Sequence, residues 1–320
     1  MQVLVRVVKP KTISMKSKSK KAGLISSIII FYAISLFAQP IDYSKLTGKY
    51  LGQKEPGLTP EIFAPNIITT ELTEHGTVTF SPDGKEVFWS VIYSDPFRKK
   101  IMTMKQEDKG WTVPQIASFS LGENEGNPIF SPDGKRVFFT GWRSAEGYAG
   151  SKHLIMYAEK TEEGWSEPGL LDPIINSISR YWHISVARNG NFYFYSDKDG
   201  GGIFYSKYMN KDYTSPEKLN LSFEGGTPFI APDDSYIIFS AKQDEGFGEI
   251  DLYISFRKKG NTWTIGKNLG PLINSDQDDI WPIVSPDGKF LFFTSARTGN
   301  MDIFWVSAKI IDELKPKDLK

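Results

Sequence analysis

Phe80-Ser81-Pro82-Asp83-Gly84-Lys85 is a stretch that comes back, as Phe130-Ser131-Pro132-Asp133-Gly134-Lys135 and as Val284-Ser285-Pro286-Asp287-Gly288-Lys289. Looser copies stand at Val186-Ala187-Arg188-Asn189-Gly190-Asn191 and Ile230-Ala231-Pro232-Asp233-Asp234-Ser235. Pro presets φ for the first central position of a type I turn, Asp suits the second, and Gly takes the left-handed position that closes a three-residue hairpin. Asn189-Gly190 can make the same reversal, and Asp234 tolerates the left-handed backbone better than most residues. Aromatic, β-prone runs follow each turn: Val87-Phe88-Trp89, Val137-Phe138-Phe139, Tyr193-Phe194-Tyr195, Ile237-Ile238-Phe239 and Leu291-Phe292-Phe293. Five turns in register, about 50 residues apart, predict a propeller or a solenoid.

Two further elements recur within each unit. A third strand is expected at Ile101-Met102-Thr103-Met104 and at its counterparts beginning Leu154, Ile203, Asp251 and Asp302. A fourth is expected at Trp111-Thr112-Val113-Pro114, Trp165-Ser166-Glu167-Pro168, Tyr213-Thr214-Ser215-Pro216 and Trp263-Thr264-Ile265-Gly266, where Pro fits an outer edge. The fifth unit has no fourth strand, whereas Glu61-Ile62-Phe63-Ala64-Pro65-Asn66-Ile67-Ile68 reads as an outer strand with nothing before it. Closure removes both open edges. The expected fold is therefore all-β, a propeller of five four-stranded blades closed by an amino-terminal strand.

The chain has 320 residues, 22 Phe, 14 Tyr, 8 Trp and no Cys. Its zero net charge conceals a division. Residues 1–39 contain seven bases and no acid, so the remainder carries 31 bases against 38 acids, and no nucleic-acid partner is expected for it. The bases precede an uncharged apolar run, Ala22 to Ala38, which reads as a secretory signal cleaved near Ala38 or Gln39, with Met15 an alternative start. An uncleaved anchor is the other reading, and would be the only membrane contact. The expected organisation is a signal peptide over 1–39, a linker over 40–54, a single propeller over 55–310 and a tail over 311–320. Export to the periplasm or beyond follows.

The turns, the third-strand aspartates and the Trp/Pro segments together resemble the WD40-like repeat of TolB-type propellers of the bacterial cell envelope. The resemblance covers nearly all of the chain after residue 39. It departs from TolB itself in lacking a separate amino-terminal domain and in having five blades rather than six. It implies a binding or scaffold module, and says little about activity.

Propeller ligands collect at the channel mouth, where the innermost strands begin. Alignment on the turns gives one register with Glu74, Asn124, Arg180, Glu224 and Asp278. The next has His75, Glu125, Tyr181, Gly225 and Asp279, and two residues further come Thr77, Asn127, His183, Thr227 and Trp281. Arg180-Tyr181-Trp182-His183 forms a basic, aromatic wedge in an acidic ring. A recognition site there would use Arg180, Trp182, His183, Trp281, Glu224 and Asp278 for a peptide, a glycan or an envelope protein. The alternative is a glycoside-active enzyme drawing its two carboxyl groups from Glu74, Glu125, Glu224, Asp278 and Asp279. Equally, those acids and Arg180 can serve as structural ion pairs. No cofactor is expected. With no Cys and no His-x-x-x-His among His75, His153 and His183, no zinc site is expected either. Gly-x-Ser-x-Gly is absent.

Overall fold

The computed structural model describes residues 41–94, 98–122, 124–144, 151–178 and 181–319. The expected signal segment lies outside them. Five antiparallel sheets form a ring, a five-bladed β-propeller. Each inner strand leads through its turn into the second: Thr79–Phe80 into Glu86–Ser94, Glu125–Phe130 into Arg136–Ser144, Tyr181–Val186 into Phe192–Ser196, Gly226–Ile230 into Tyr236–Ala241, and Asp279–Val284 into Phe290–Ser295. Gly84, Gly134, Gly190, Asp234 and Gly288 all have positive φ, from 65° to 85°. Ser81 Oγ donates to Asp83 at 2.6 Å and accepts from the Glu86 amide, and Ser131 and Ser285 repeat the arrangement. The Ser-x-Asp pair thus locks each of these reversals with its own side chains.

The third strands are Arg98–Glu107, Ser151–Thr161, Gly202–Ser206, Asp251–Phe256 and Asp302–Ser307. The outermost pairings begin at the aromatic residues expected for them: Gly110–Trp111 and Gly164–Trp165 pair antiparallel with the third strands, and Trp263 bridges to Arg257. A second set follows just past the Pro or Gly, at Gln115–Ile116, Gly169–Leu170, Glu217–Lys218 and Lys267–Asn268. The aromatic side chain packs towards the preceding blade. Trp165 of the second blade lies 5.7 Å from Phe88 and 5.8 Å from Phe130, and its Nε1 donates to Glu86 of the first blade at 2.8 Å. Trp111, Tyr213 and Trp263 occupy corresponding places.

The fifth blade is completed from the amino-terminal side. Glu61 pairs with Trp305 and Ile62 with Phe304, antiparallel, and the Phe63 amide donates to the Ile303 carbonyl at 2.8 Å. Phe63 is fully buried against Phe80, Phe292 and Trp305. The stretch expected as a linker does more than tether: Tyr50 and Leu51 are buried in the same cluster, between the fifth and first blades. The expected tail begins within a short helix, Lys309–Leu314, whose Ile311 packs on the apolar side of blades four and five.

Candidate functional site

At the end of the ring opposite the turns, the inner strands bring three acids to one level. Glu74 pairs with Val91, Glu125 with Gly141 and Asp279 with Ser295, and these partners hold equivalent places in their second strands. The first inner strand therefore carries one residue more than simple turn alignment allows, so Glu74 stands with Glu125 and Asp279 rather than with Asn124 and Asp278. All three acids are fully buried. Arg143 donates from Nε (3.0 Å) and Nη2 (2.5 Å) to one oxygen of Glu125. Asp279 accepts from Arg297 at 2.7 Å and from the Ser275 amide and hydroxyl at 2.6 and 2.9 Å. Among the described residues the Glu74 side chain accepts only from the Thr70 amide and hydroxyl, at 3.2 and 3.3 Å. Burial, with the nearby charge of Asp302, pushes its carboxyl up to about 8.

One step further in, the inner strands bulge. Pairing slips between Gly126 and Ile129, between Gly226 and Phe229, and between Ile280 and Ile283. The bulged residues Asn127, Thr227 and Trp281 have φ of 54°, 40° and 54°, and each is followed by a proline. Pro has no amide to lose from the ladder, which suits the bulge. Three non-glycine residues in left-handed conformations at equivalent points is strain that the ring enforces, and such strain gathers at functional sites. Hydroxyls then stitch neighbouring blades: the Asn127 amide donates to Ser90, the Trp281 amide to Thr227, and Thr294 donates to the Gly76 carbonyl. Backbone bonds add to these contacts, from the Glu74 amide to the Met301 carbonyl at 3.3 Å and from the Asp279 amide to the Ile250 carbonyl at 2.8 Å, while the acid side chains bond within their own blades or to adjoining loops.

The mouth leaves polar atoms unanswered. Among the described residues, neither ring nitrogen of His183 has a partner although the residue is only 3% exposed. His75 Nδ1, Thr77 Oγ1, Asp278 Oδ1 and one oxygen each of Glu74 and Glu125 also have none. Burial lowers His75, His153 and His183 to about 3, so all three imidazoles are neutral. The charge of Lys99 adds to the effect at His75 and His153. Burial also lowers Lys99 itself, to about 8. The His75 ring lies 4.8 Å from Trp281, and His153 lies 5.4 Å from Trp142.

Of the residues singled out by sequence, Trp281 and Glu224 line one cleft of about 570 Å³, together with Tyr195, Lys242 and Ile250. Glu224 is exposed and pairs with Lys218 at 2.6 Å. Asp278 is half-buried, and burial followed by the charges of Glu249 and Asp279 raises its carboxyl. Trp182 lies in the third inner strand, and Arg180 lies outside the described residues. Lys99, Trp142 and the gathering of His75, His153 and His183 escaped the sequence reading, because Lys99, Trp142 and His153 sit on second and third strands rather than on the innermost register. No three His, Asp or Glu side chains among the described residues are arranged to hold a metal ion.

No protein-family model matches the chain, and no curated relative matches it. Solved structures similar to it include TolB from Acinetobacter baumannii, at 17% identity and a TM-score of 0.47, covering 75% of this chain and 55% of that one. The chain thus spans about half the length of that TolB. An arabinanase of Bacillus subtilis matches at 16% identity and a TM-score of 0.46, over 73% of this chain and 93% of that one. A gluconolactonase of Xanthomonas campestris matches at 9% identity and a TM-score of 0.45, over 79% and 97%.

Proposed function

We propose that the protein is an exported, non-catalytic propeller that binds a glycan, a peptide or another envelope protein at the mouth of its channel. The observation that carries this reading is His183, nearly fully buried with neither nitrogen partnered among the described residues, in a mouth where strained bulges present Asn127, Thr227 and Trp281. A buried polar group without a partner costs free energy that a bound molecule or ordered water recovers. Two of the acids that catalysis would draw on are already committed, Glu125 to Arg143 and Asp279 to Arg297. The basic amino-terminal segment followed by Ala22 to Ala38 supports export to the periplasm or beyond. Among the described residues no helix is long and apolar enough to cross a membrane.

A glycoside-active enzyme is the second reading, and Glu74 is the observation that favours it. A carboxyl raised to about 8 stays protonated near neutrality, as a general acid must. Its counterpart would come from Glu125, Glu224, Asp278 or Asp279. One experiment separates the readings: a glycan hydrolysis screen run beside binding titrations on Trp281→Ala, Glu224→Gln and Asp278→Asn. Binding without turnover, weakened in Trp281→Ala, supports the recognition module. Turnover that disappears in either amide variant while binding persists establishes the enzyme instead.

A further inference from the structure

Lys99 and Lys100 are neighbours on one strand with opposite fates. Lys100 Nζ donates to the carbonyls of Ser120 at 3.0 Å and Gly122 at 2.6 Å, a purely structural use. Side chains alternate along a strand, so Lys99 points the other way. Its stem runs over Gly126, where an added Cβ would meet Lys99 Cδ at 3.8 Å, and its backbone bridges to Asn124 at the start of the second inner strand. Lys99 therefore extends along the rim of the mouth, between the first and second blades. Among the described residues its ammonium has no ion-pair or hydrogen-bond partner. A desolvated cation without a counter-ion is costly, and an incoming anion removes that cost. Within its electrostatic reach are His75 and His153, two neutral imidazoles able to donate or accept hydrogen bonds. Each is backed by an indole, His75 by Trp281 and His153 by Trp142. Trp142 is 48% exposed.

We propose that Lys99, His75, His153 and Trp142 form the binding site for an acidic sugar, with its carboxylate on the Lys99 ammonium and its ring face on the Trp142 indole. The inference rests on the channel-mouth reading and names the ligand class. An unpaired ammonium selects a carboxylate over a neutral group, and the exposed indole against His153 supplies the flat apolar face that a pyranose ring covers. The His75 imidazole fits a ring hydroxyl, since its Nδ1 has no partner among the described residues.

The test is calorimetric titration of the purified protein with trigalacturonate, with its fully methyl-esterified form, and with sodium acetate at equal carboxylate concentration. The ester keeps the rings and loses the charge, while acetate keeps the charge and loses the rings. Trigalacturonate is expected to bind about tenfold or more tighter than either, a charge-assisted margin. Lys99→Met should abolish the margin over the ester and Lys99→Arg should restore part of it. Trp142→Ala should weaken the acid and the ester together. Lys99→Met removes a desolvated charge, so its urea midpoint should not fall, which separates lost binding from lost folding. The proposal is overturned if trigalacturonate does not bind, if the ester or acetate binds equally well, or if Lys99→Met leaves the margin intact. A neutral glycan that binds the wild type and is weakened by Trp281→Ala but not by Lys99→Met would keep the mouth and reject the acidic ligand. Should Trp281→Ala spare every ligand found, the mouth reading itself fails.

Discussion

Nε and Nη2 of Arg143 converge on a single oxygen of Glu125 and leave its other oxygen buried, without a partner among the described residues. The pair joins the end of a second strand to the start of its inner strand, and Arg297 does the same with Asp279 in the fifth blade. Removing the cation strands a fully buried carboxylate. Arg143→Met should therefore lose roughly 3 kcal/mol, the lower end of the cost of breaking a buried pair, because Arg143 itself is a quarter exposed. Urea denaturation measures it, and an unchanged midpoint would remove Glu125 from the structural framework and return it to the catalytic candidates.

The closing strand is the second place to look. Phe63→Ala removes a fully buried ring that touches Phe80, Phe292 and Trp305, and should cost about 3–5 kcal/mol. Leu58→Ala, at a side chain half exposed just upstream, should be nearly silent. Deleting residues 56–70 should expose the third strand of the last blade as an open edge and produce aggregation, read by light scattering. A soluble deletion protein with an unchanged melting curve would contradict closure.

Much of this was legible in advance. The three Ser-Pro-Asp-Gly turns and their two looser copies fix where each pair of strands reverses, their count fixes the blades, and the missing outer strand at the carboxyl end fixes the closure. The site was less legible for three physical reasons. A period-two pattern does not reveal a bulge, so the swing of Asn127, Thr227 and Trp281 had no signature beyond the following prolines. The extra residue in the first inner strand moved Glu74 by one place. And side chains at and just past the ends of second strands reach inward: Arg143 and Arg297 stand at matching positions after their turns, a repeat that could have been read as partners for Glu125 and Asp279. Lys99 and Trp142 had no such repeat to mark them.

Stability should depend on pH from both sides. The Glu74 carboxyl lies near 8 in the fold against an ordinary 4.5, so the folded state binds that proton more tightly. Its contribution is complete below about 4.5 and is lost as pH rises to 8, with a slope of up to about 1.4 kcal/mol per pH unit. His183 works in the opposite sense. Its value falls to about 3 from 6.5, so its contribution is complete above 6.5 and is lost as pH falls. Glu74→Gln should flatten the decline between pH 5 and 8 in denaturant midpoints, and His183→Leu the decline between 6.5 and 3 (windows set by those same shifts). A decline unchanged by either variant would assign it to other groups.

The tryptophan that joins the first two blades separates packing from hydrogen bonding. Trp165→Phe keeps a ring against Phe88 and Phe130 but loses the Nε1 donation to Glu86, which also pairs with Lys105 and Lys160. A loss of about 1–2 kcal/mol is expected, against roughly 3–5 for Trp165→Ala. Equal losses would mean that the ring packing contributes nothing.

The pairing of Glu61–Ile62 with the strand Asp302–Ser307 also has a meaning in time. The first four blades can be assembled from neighbouring stretches as the chain leaves the ribosome. The segment that seals the ring is made before any of them and must remain without its partner until almost the whole chain exists. The seal is therefore a contact of very high sequence separation, the kind that forms late and slows folding. A ribosome that stops short of residue 302 releases a chain with an unsealed ring, open to proteases and to other copies of itself. The architecture thus distinguishes finished chains from unfinished ones, without any separate sensor.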